Sequence, residues 1–393
     1  MLTDKLYEKD SYLKEFDATV LACTPQKDGF GIVLDRTAFF CEGGGQYGDG
    51  GVLISDGITV RVSETVPQNG EVTHRTDVPL PVGARVRGVI DFETRYRNMQ
   101  NHSGEHIVSG LIHARFGFDN VGFHLGRDYV SLDINGVLTR EELAEIEEAA
   151  NRAIYQNVPI TVAFPDKPTL DAMEYRSKKE LSGEVRIVTV EGYDVCACCA
   201  PHVSRTGEIG MIKLLDPMSY KGGLRFYMQC GISALRDYNE KQSRIEAISH
   251  LLSAKQAEVA EAVLRMKNEL SEERQATAAL RRALVEERLA ATEETAGNRV
   301  FFESSLDMNS LRTLVNGALP RTGSVVAAFL GNDTSGYAYL IASAHVPLRA
   351  AAAALREAFG AKGGGSDAMI QGSVQAPREA LCTWVNDYFK REE

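Results

Sequence analysis

The chain has 393 residues, 44% hydrophobic and 25% charged, the profile of a globular protein with room for two or three domains. No apolar run reaches the roughly 18 residues that cross a bilayer, so no membrane association is expected. The start, MLTDKLYEKDSYLKEF, has no apolar core, which argues against a signal peptide and makes the cytoplasm the default compartment. A net charge of −11 argues against non-specific coating of nucleic acid, so any RNA contact must come from local basic places on an acidic body.

From about residue 18 to 90 the segments ATVLAC, FGIVLDRTAFF, GGVLIS and ARVRGVIDF are rich in β-branched and aromatic residues. DG, GG and NG steps separate them, and a small β-barrel is the expected result. The period changes over Tyr96–Phe116, where Met99, His102, His106, Leu111 and Ile112 take helical spacings. A second helix is predicted in TREELAEIEEAANRAIYQN, with Thr139 as its N-cap and acidic residues in its first turn. VPITVAF and VRIVTV read as strands, giving a helix-on-sheet α+β core.

No proline occurs between about Leu235 and Leu289. Apolar residues recur at Ile245, Ile248, Leu252, Val259, Val263, Met266, Leu270, Leu280 and Leu284, so long helices are expected. Packing into a helical hairpin or dimerisation would each bury that stripe. SVVAAFLG and GYAYLIASA then read as strands, VPLRAAAAALREAFG as a helix, and AKGGGSDAMIQGS as a glycine loop before a last helix. The expected fold is α+β and multidomain. A small N-terminal β-barrel (1–92) leads to an α+β metal-binding core (93–235), a coiled-coil-like helical arm (236–293) and a small C-terminal α/β domain (294–393).

Seven cysteines include three in CACC, poor geometry for a disulfide framework and good geometry for a reduced metal or thiol site. His102 and His106 are four apart, on one face of the predicted helix. Cys198 and His202 are also four apart, on a segment that Pro201 keeps from being helical. Three His and one Cys form a borderline-soft set that favours zinc, one ion per chain, over magnesium or calcium. Cys196 and Cys199 each remain alternatives to Cys198, and a three-ligand shell remains an alternative to four. Glu105 points about 100° away from its neighbour His106 on a helix and is not assigned as a general base. Asp91 and Arg95, four apart, read as a structural ion pair. The glycines Gly43, Gly44 and Gly45 permit positive φ and let backbone amides face an anion or ester carbonyl. Gln46 carries both a donor and an acceptor for a water or a substrate amine.

Four stretches carry a resemblance. They are TAFFCEGGGQYGDGG (37–51), DFETRYRNMQNHSGEH (91–106), VRIVTVEGYDVCACCAPHVSRTGEIG (185–210) and KGGGSDAMIQGS (362–373). In that order they resemble the editing domain of alanyl-tRNA synthetase, its free-standing AlaX relatives, and the synthetase's small C-terminal domain. CCAPH stands where the family often has CGGTH, and HSGEH where it has HTAxH. The resemblance makes residues 93–235 an editing core and implies a trans-editing aminoacyl-tRNA ester hydrolase. Its partner would be tRNA(Ala) wrongly charged with serine or glycine. Thr37 would stand at the pocket wall, with Gln46, Gly44 and Gly45 serving the chemistry. His102, His106, Cys198 and His202 would hold zinc, and Arg349, Arg356, Lys362, Gly363 and Gly364 would contact tRNA. A homodimer through the arm or the C-terminal domain is a further expectation. A catalytically inactive zinc-containing tRNA-binding module is the alternative.

Overall fold

A computed structural model describes residues 3–126, 129–177 and 184–390. The chain divides into two compact units, residues 1–246 and 247–393.

In the first unit six antiparallel strands close a barrel: β1 (Glu15–Gln26), β2 (Gly29–Leu34), β3 (Gly51–Ser55), β4 (Ile58–Gln68), β5 (Glu71–Thr76) and β6 (Arg85–Ile90). Their order round the barrel is β1-β2-β5-β4-β3-β6. Alternation sets the inside: along β4, Val60 and Val62 are buried and Arg61 and Ser63 exposed. The DG and NG steps turn β3 into β4 and β4 into β5. Asp56, Gly57, Asn69 and Gly70 all take positive φ, as tight two-residue hairpins require.

Helix α1 (Phe92–Phe116) follows, starting four residues before the predicted point because the Asp91 carboxylate caps it and accepts from the Thr94 N–H. That capping replaces the expected Asp91–Arg95 ion pair. Arg95 is fully buried and pairs instead with Asp49, to which its Nε donates at 2.8 Å, while its Nη1 and Nη2 reach the carbonyls of Ser11 and Ala38. Arg95 therefore ties α1 to the segment after the glycine run, with its own buried charge paired.

The strands β7 (Asn120–Leu125), β8 (Val130–Ile134), β12 (Ile212–Tyr220) and β13 (Gly223–Cys230) form a sheet in the order β12-β13-β8-β7. A second, antiparallel sheet holds β9 (Ile160–Ala163), β10 (Ile187–Val190) and β11 (Asp194–Ala197). Helix α2 (Arg140–Gln156) starts at Thr139, the predicted N-cap, which forms a capping box with Glu142. Ile107 and Val108 of α1 pack with Leu132, Ala150, Val188 and Phe226 in one core. Buried on most of its circumference from Asn98 to Gly110, α1 can carry polar residues inward only where partners await them. A Cβ on Gly104 would overlap the Cys230 sulfur, so this close approach needs glycine.

The proline-free stretch is not one rod. Helix α3 (Gly231–Leu252) ends at Ser253, which has φ 49°, and α4 (Val259–Ala290) begins after a short 3-10 turn. Val263 (43% exposed), Met266 (52%), Leu270 (51%) and Leu280 (72%) stay open, while Val259 is buried and Leu284 packs against the core of the second unit, so only part of the apolar stripe is covered.

The second unit contains the sheet β14 (Arg299–Glu303), β15 (Val325–Asn332), β16 (Gly336–Ser343), β18 (Met369–Val374) and β17 (Lys362–Gly365), in that spatial order. The helices α5 (Met308–Ala318), α6 (Arg349–Phe359) and α7 (Arg378–Tyr388) complete it. The expected glycine loop is a correction: Lys362–Gly365 is an edge strand paired antiparallel with Met369–Val374. A side chain at Gly363 (φ 143°) would strike the Gln371 carbonyl, so the glycines here let two backbones approach. Among the described residues no helix is long and apolar enough to cross a membrane.

Candidate active site

Ligand atoms of His102, His106, Cys198 and His202 all lie within 4.8 Å of one another. Helix α1 supplies the first two from adjacent turns. The turn after β11 supplies the others, and Arg186 braces it, its guanidinium donating to the carbonyls of Cys198 (2.8 Å) and Ala200 (2.9 Å).

Each imidazole is oriented through Nδ1. His102 donates to Gln46 Oε1 at 2.9 Å, His106 to Asp194 Oδ2 at 2.8 Å, and His202 Nδ1 pairs with the Ser103 hydroxyl at 3.0 Å. The Nε2 atoms of His102 and His202 face the Cys198 sulfur at 3.6 and 3.4 Å. Partners on Nδ1 that leave Nε2 free are the usual support of metal-ligating histidines. Asp194 is itself clamped by Arg176, through Nε at 2.7 Å and Nη2 at 2.9 Å.

Burial alone would raise the Cys198 thiol, but the facing imidazoles of His102 and His202 pull it well below the ordinary range, toward the thiolate that binds metal. Burial depresses His202 to about 3, keeping it neutral. Burial also opposes charge on His106, but its bonds to Asp194 and Cys198 outweigh this and raise it. For Asp194 burial works upward, and His106 and Arg176 together bring the carboxyl below its usual range. A buried His3Cys set with every second nitrogen occupied fits a borderline-soft divalent ion.

Cys196 sits in another cluster with His106 and Asp194. There the carboxylate is already bound by Arg176 and His106, and burial raises the Cys196 thiol. Cys199 faces the glycine turn, near Gly43 and Gly44. Geometry thus favours Cys198 among the three cysteines.

The cluster borders a cavity of about 720 Å³, lined by His102, His106, Cys198, Arg186, Gly44 and Gly45 among others. Gly44 (φ 60°) and Gly45 (φ 83°) form a tight turn closed by paired backbone bonds between Gly43 and Gln46. Among the described residues the Gly44 and Gly45 N–H groups have no backbone acceptor.

Thr37 and Gln46 do not line this cavity. The Thr37 hydroxyl is committed inside the barrel. His74 donates from Nδ1 to the Ile32 carbonyl, so its Nε2 accepts from Thr37, whose oxygen in turn accepts from the Phe39 N–H. Gln46 is 1% exposed, and its Oε1 orients His102. Glu105, buried, bonds Ser109 and Asn120. In the second unit Arg356 donates to the Gly363 carbonyl at 3.2 Å, and Arg349 faces Asp367 at 3.8 Å. Lys362, Gly363 and Gly364 lie on the edge strand.

Sequence reasoning missed Asp194, Arg176, Ser103 and Asp49 as site supports. Asp194, two residues before Cys196 in YDVCACC, offered a signal as an acid beside a Cys/His motif. The others carried none.

The barrel and the Cys/His turn both fall in segments that resemble tRNA synthetases. Residues 185–242 match the family described as threonyl and alanyl tRNA synthetase second additional domain, and residues 12–94 match tRNA synthetases class II (A). The chain is 35% identical over 246 residues to the alanyl-tRNA editing protein AlaX-L of Pyrococcus horikoshii, covering 61% of each. It is 31% identical over 282 residues to the alanyl-tRNA editing protein Aarsd1 of Mus musculus, covering 67% of each. Against the alanine–tRNA ligase of Pyrococcus furiosus it is 33% identical over 295 residues, 72% of this chain and 32% of the ligase. The chain belongs to the alanyl-tRNA editing protein family. It spans about three fifths of the Pyrococcus editing protein's length and about a third of the ligase's.

Proposed function

We propose that this chain is an aminoacyl-tRNA deacylase that acts in trans on tRNA(Ala) carrying serine or glycine, with one Zn2+ held by His102, His106, Cys198 and His202. The observation that carries this reading is the convergence of those four ligand atoms within 4.8 Å, with His102, His106 and Cys198 lining a cavity that Gly44 and Gly45 also line. Zinc bound there would supply Lewis-acid polarisation and order the pocket.

The chain's own groups do the rest. In this reading the Gly44 and Gly45 N–H groups would receive the negative charge that grows on an ester oxygen during hydrolysis, a stabilisation worth about 2.7–4 kcal/mol per donor in other hydrolases. Gln46, Asp194 and Ser103 are positioning residues that fix the three imidazoles. Thr37, already bonded to His74 and Phe39, is a barrel-packing residue in this reading, so contact with the serine hydroxyl falls to groups that line the cavity. A site that hydrogen-bonds that hydroxyl rejects alanine strongly, because alanine would leave a buried polar group unpaired. The lysines and arginines of the second unit, Arg349, Arg356 and Lys362 with Gly363 and Gly364, are the proposed contacts to the tRNA body.

The test is release of labelled serine, glycine and alanine from tRNA(Ala) by the zinc-loaded protein. Serine or glycine should be released and alanine spared. Tight tRNA binding without turnover would favour the inactive-module reading, and equal rates on all three would reject the selectivity argument.

A further inference from the structure

On the far side of the glycine turn lies a groove that the ester site does not use. It is lined by Tyr47, Arg61, Arg97, Asn98 and His124 among others, and has a volume of about 1090 Å³. Tyr47 is 45% exposed, although a large aromatic ring gains by burial. It stands edge-on to the exposed His124, with ring centroids 5.3 Å apart. The two acids that line the groove are already engaged. Asp91 caps α1 through Thr94, and Glu64 pairs with Arg75 at 2.9 Å. Among the described residues Arg61 and Arg97 form no ion pair, so the groove offers two guanidinium groups without a direct acidic partner beside the half-exposed Tyr47 ring.

Groove and cavity are lined by consecutive residues of the same two strips of chain. Gly44 and Gly45 face the cavity, and Tyr47 and Gly48 the groove. Gly122 and Phe123 face the cavity, and His124 and Leu125 the groove. Backbone bonding between Gly45 and Leu125 stitches the strips together. A polymer whose last unit occupies the cavity can therefore continue over this stitch.

We propose that this groove binds the single-stranded RNA immediately preceding the aminoacylated nucleotide, with a base stacked on Tyr47 and phosphates met by Arg61 and Arg97. The inference rests on the tRNA-ester reading of the cavity. Open aromatic faces flanked by arginines are how proteins hold unpaired RNA.

The probe is a fluorescein-labelled RNA dodecamer ending in CCA, followed by anisotropy with the zinc-loaded full chain. Tyr47→Ala should weaken binding about tenfold, and the Arg61→Ala/Arg97→Ala pair should weaken it and flatten its salt dependence. Tyr47→Phe should stay within about twofold of the parent, since it keeps the ring. Release of serine from a 3′-O-seryl-adenosine ester, which does not reach the groove, should be unchanged in all three, while the KM for seryl-tRNA rises. Parent-like binding by folded Tyr47→Ala protein would overturn the proposal, as would absence of RNA binding by the parent chain. RNA binding that depends on Tyr47 in a protein that releases no amino acid would uphold the groove and remove the hydrolase reading.

Discussion

Asp194→Asn is the sharpest probe of how the cluster is held. The Asp194 side chain is 2% exposed and accepts three hydrogen bonds, one from His106 Nδ1 and two from Arg176. An asparagine offers one oxygen and one NH2. Whichever way the amide turns, its N–H groups meet a donor, either the His106 Nδ1–H or the Arg176 guanidinium. Loss of such a support on a ligating histidine costs about 10–100-fold in metal affinity, or about 1.4–2.7 kcal/mol. Arg176, 14% exposed, also loses its charge partner, and breaking a buried pair from one side costs about 3–5 kcal/mol. The expected outcome is a weakened zinc Kd in competition with a chelator and a lower Tm even in metal-free protein. Zinc affinity within twofold of the parent in a folded variant would refute the reasoning.

Three further outcomes follow from individual contacts. Cys198→Ser should weaken zinc binding in competition with a chelator, while Cys199→Ser should match the parent. Gly104→Ala should lower stability by about 1–3 kcal/mol, because its methyl group overlaps the Cys230 sulfur. The double variant with Cys230→Ala should recover much of that loss in denaturant unfolding. His74 is held neutral by burial, with its pKa lowered from 6.5 to about 4. Its contribution to stability is fully present above pH 6.5 and is lost as the pH falls toward 4, up to about 3 kcal/mol. Unfolding of the parent and His74→Gln proteins at pH 7.5 and 4.5 should show a smaller acid loss in the variant, and equal losses would contradict the assignment.

Local signals were readable where the structure is locally determined. The DG and NG steps became two-residue hairpins, Thr139 became a capping box, and HxxxH and CxxxH came together as four convergent ligand atoms. Long-range partners were not readable. Arg95 has an acid four residues before it, yet pairs with Asp49, 46 residues away, because Asp91 is better used as a helix cap. Asp194 lies 88 residues from His106, and no spacing rule links them. The threonine before Ala38 gave no sign of its partner: the Thr37 hydroxyl bonds His74, 37 residues away. The KGGG run read as a loop because glycine is rare in strands, yet here it permits close pairing with Gly372 and Gln371. Helical periodicity located α3 and α4 but gave no sign of the break at Ser253, whose positive φ lets the chain leave the helix.

X-ray absorption at the zinc edge of the metal-loaded chain, read beside its Cys198→Ser variant, tests the central claim most directly. One zinc per chain in a shell of three nitrogens and one sulfur, with the sulfur lost in the variant, is the predicted result. A shell without sulfur, or one whose sulfur survives removal of Cys198, would contradict the site on which the hydrolase reading stands.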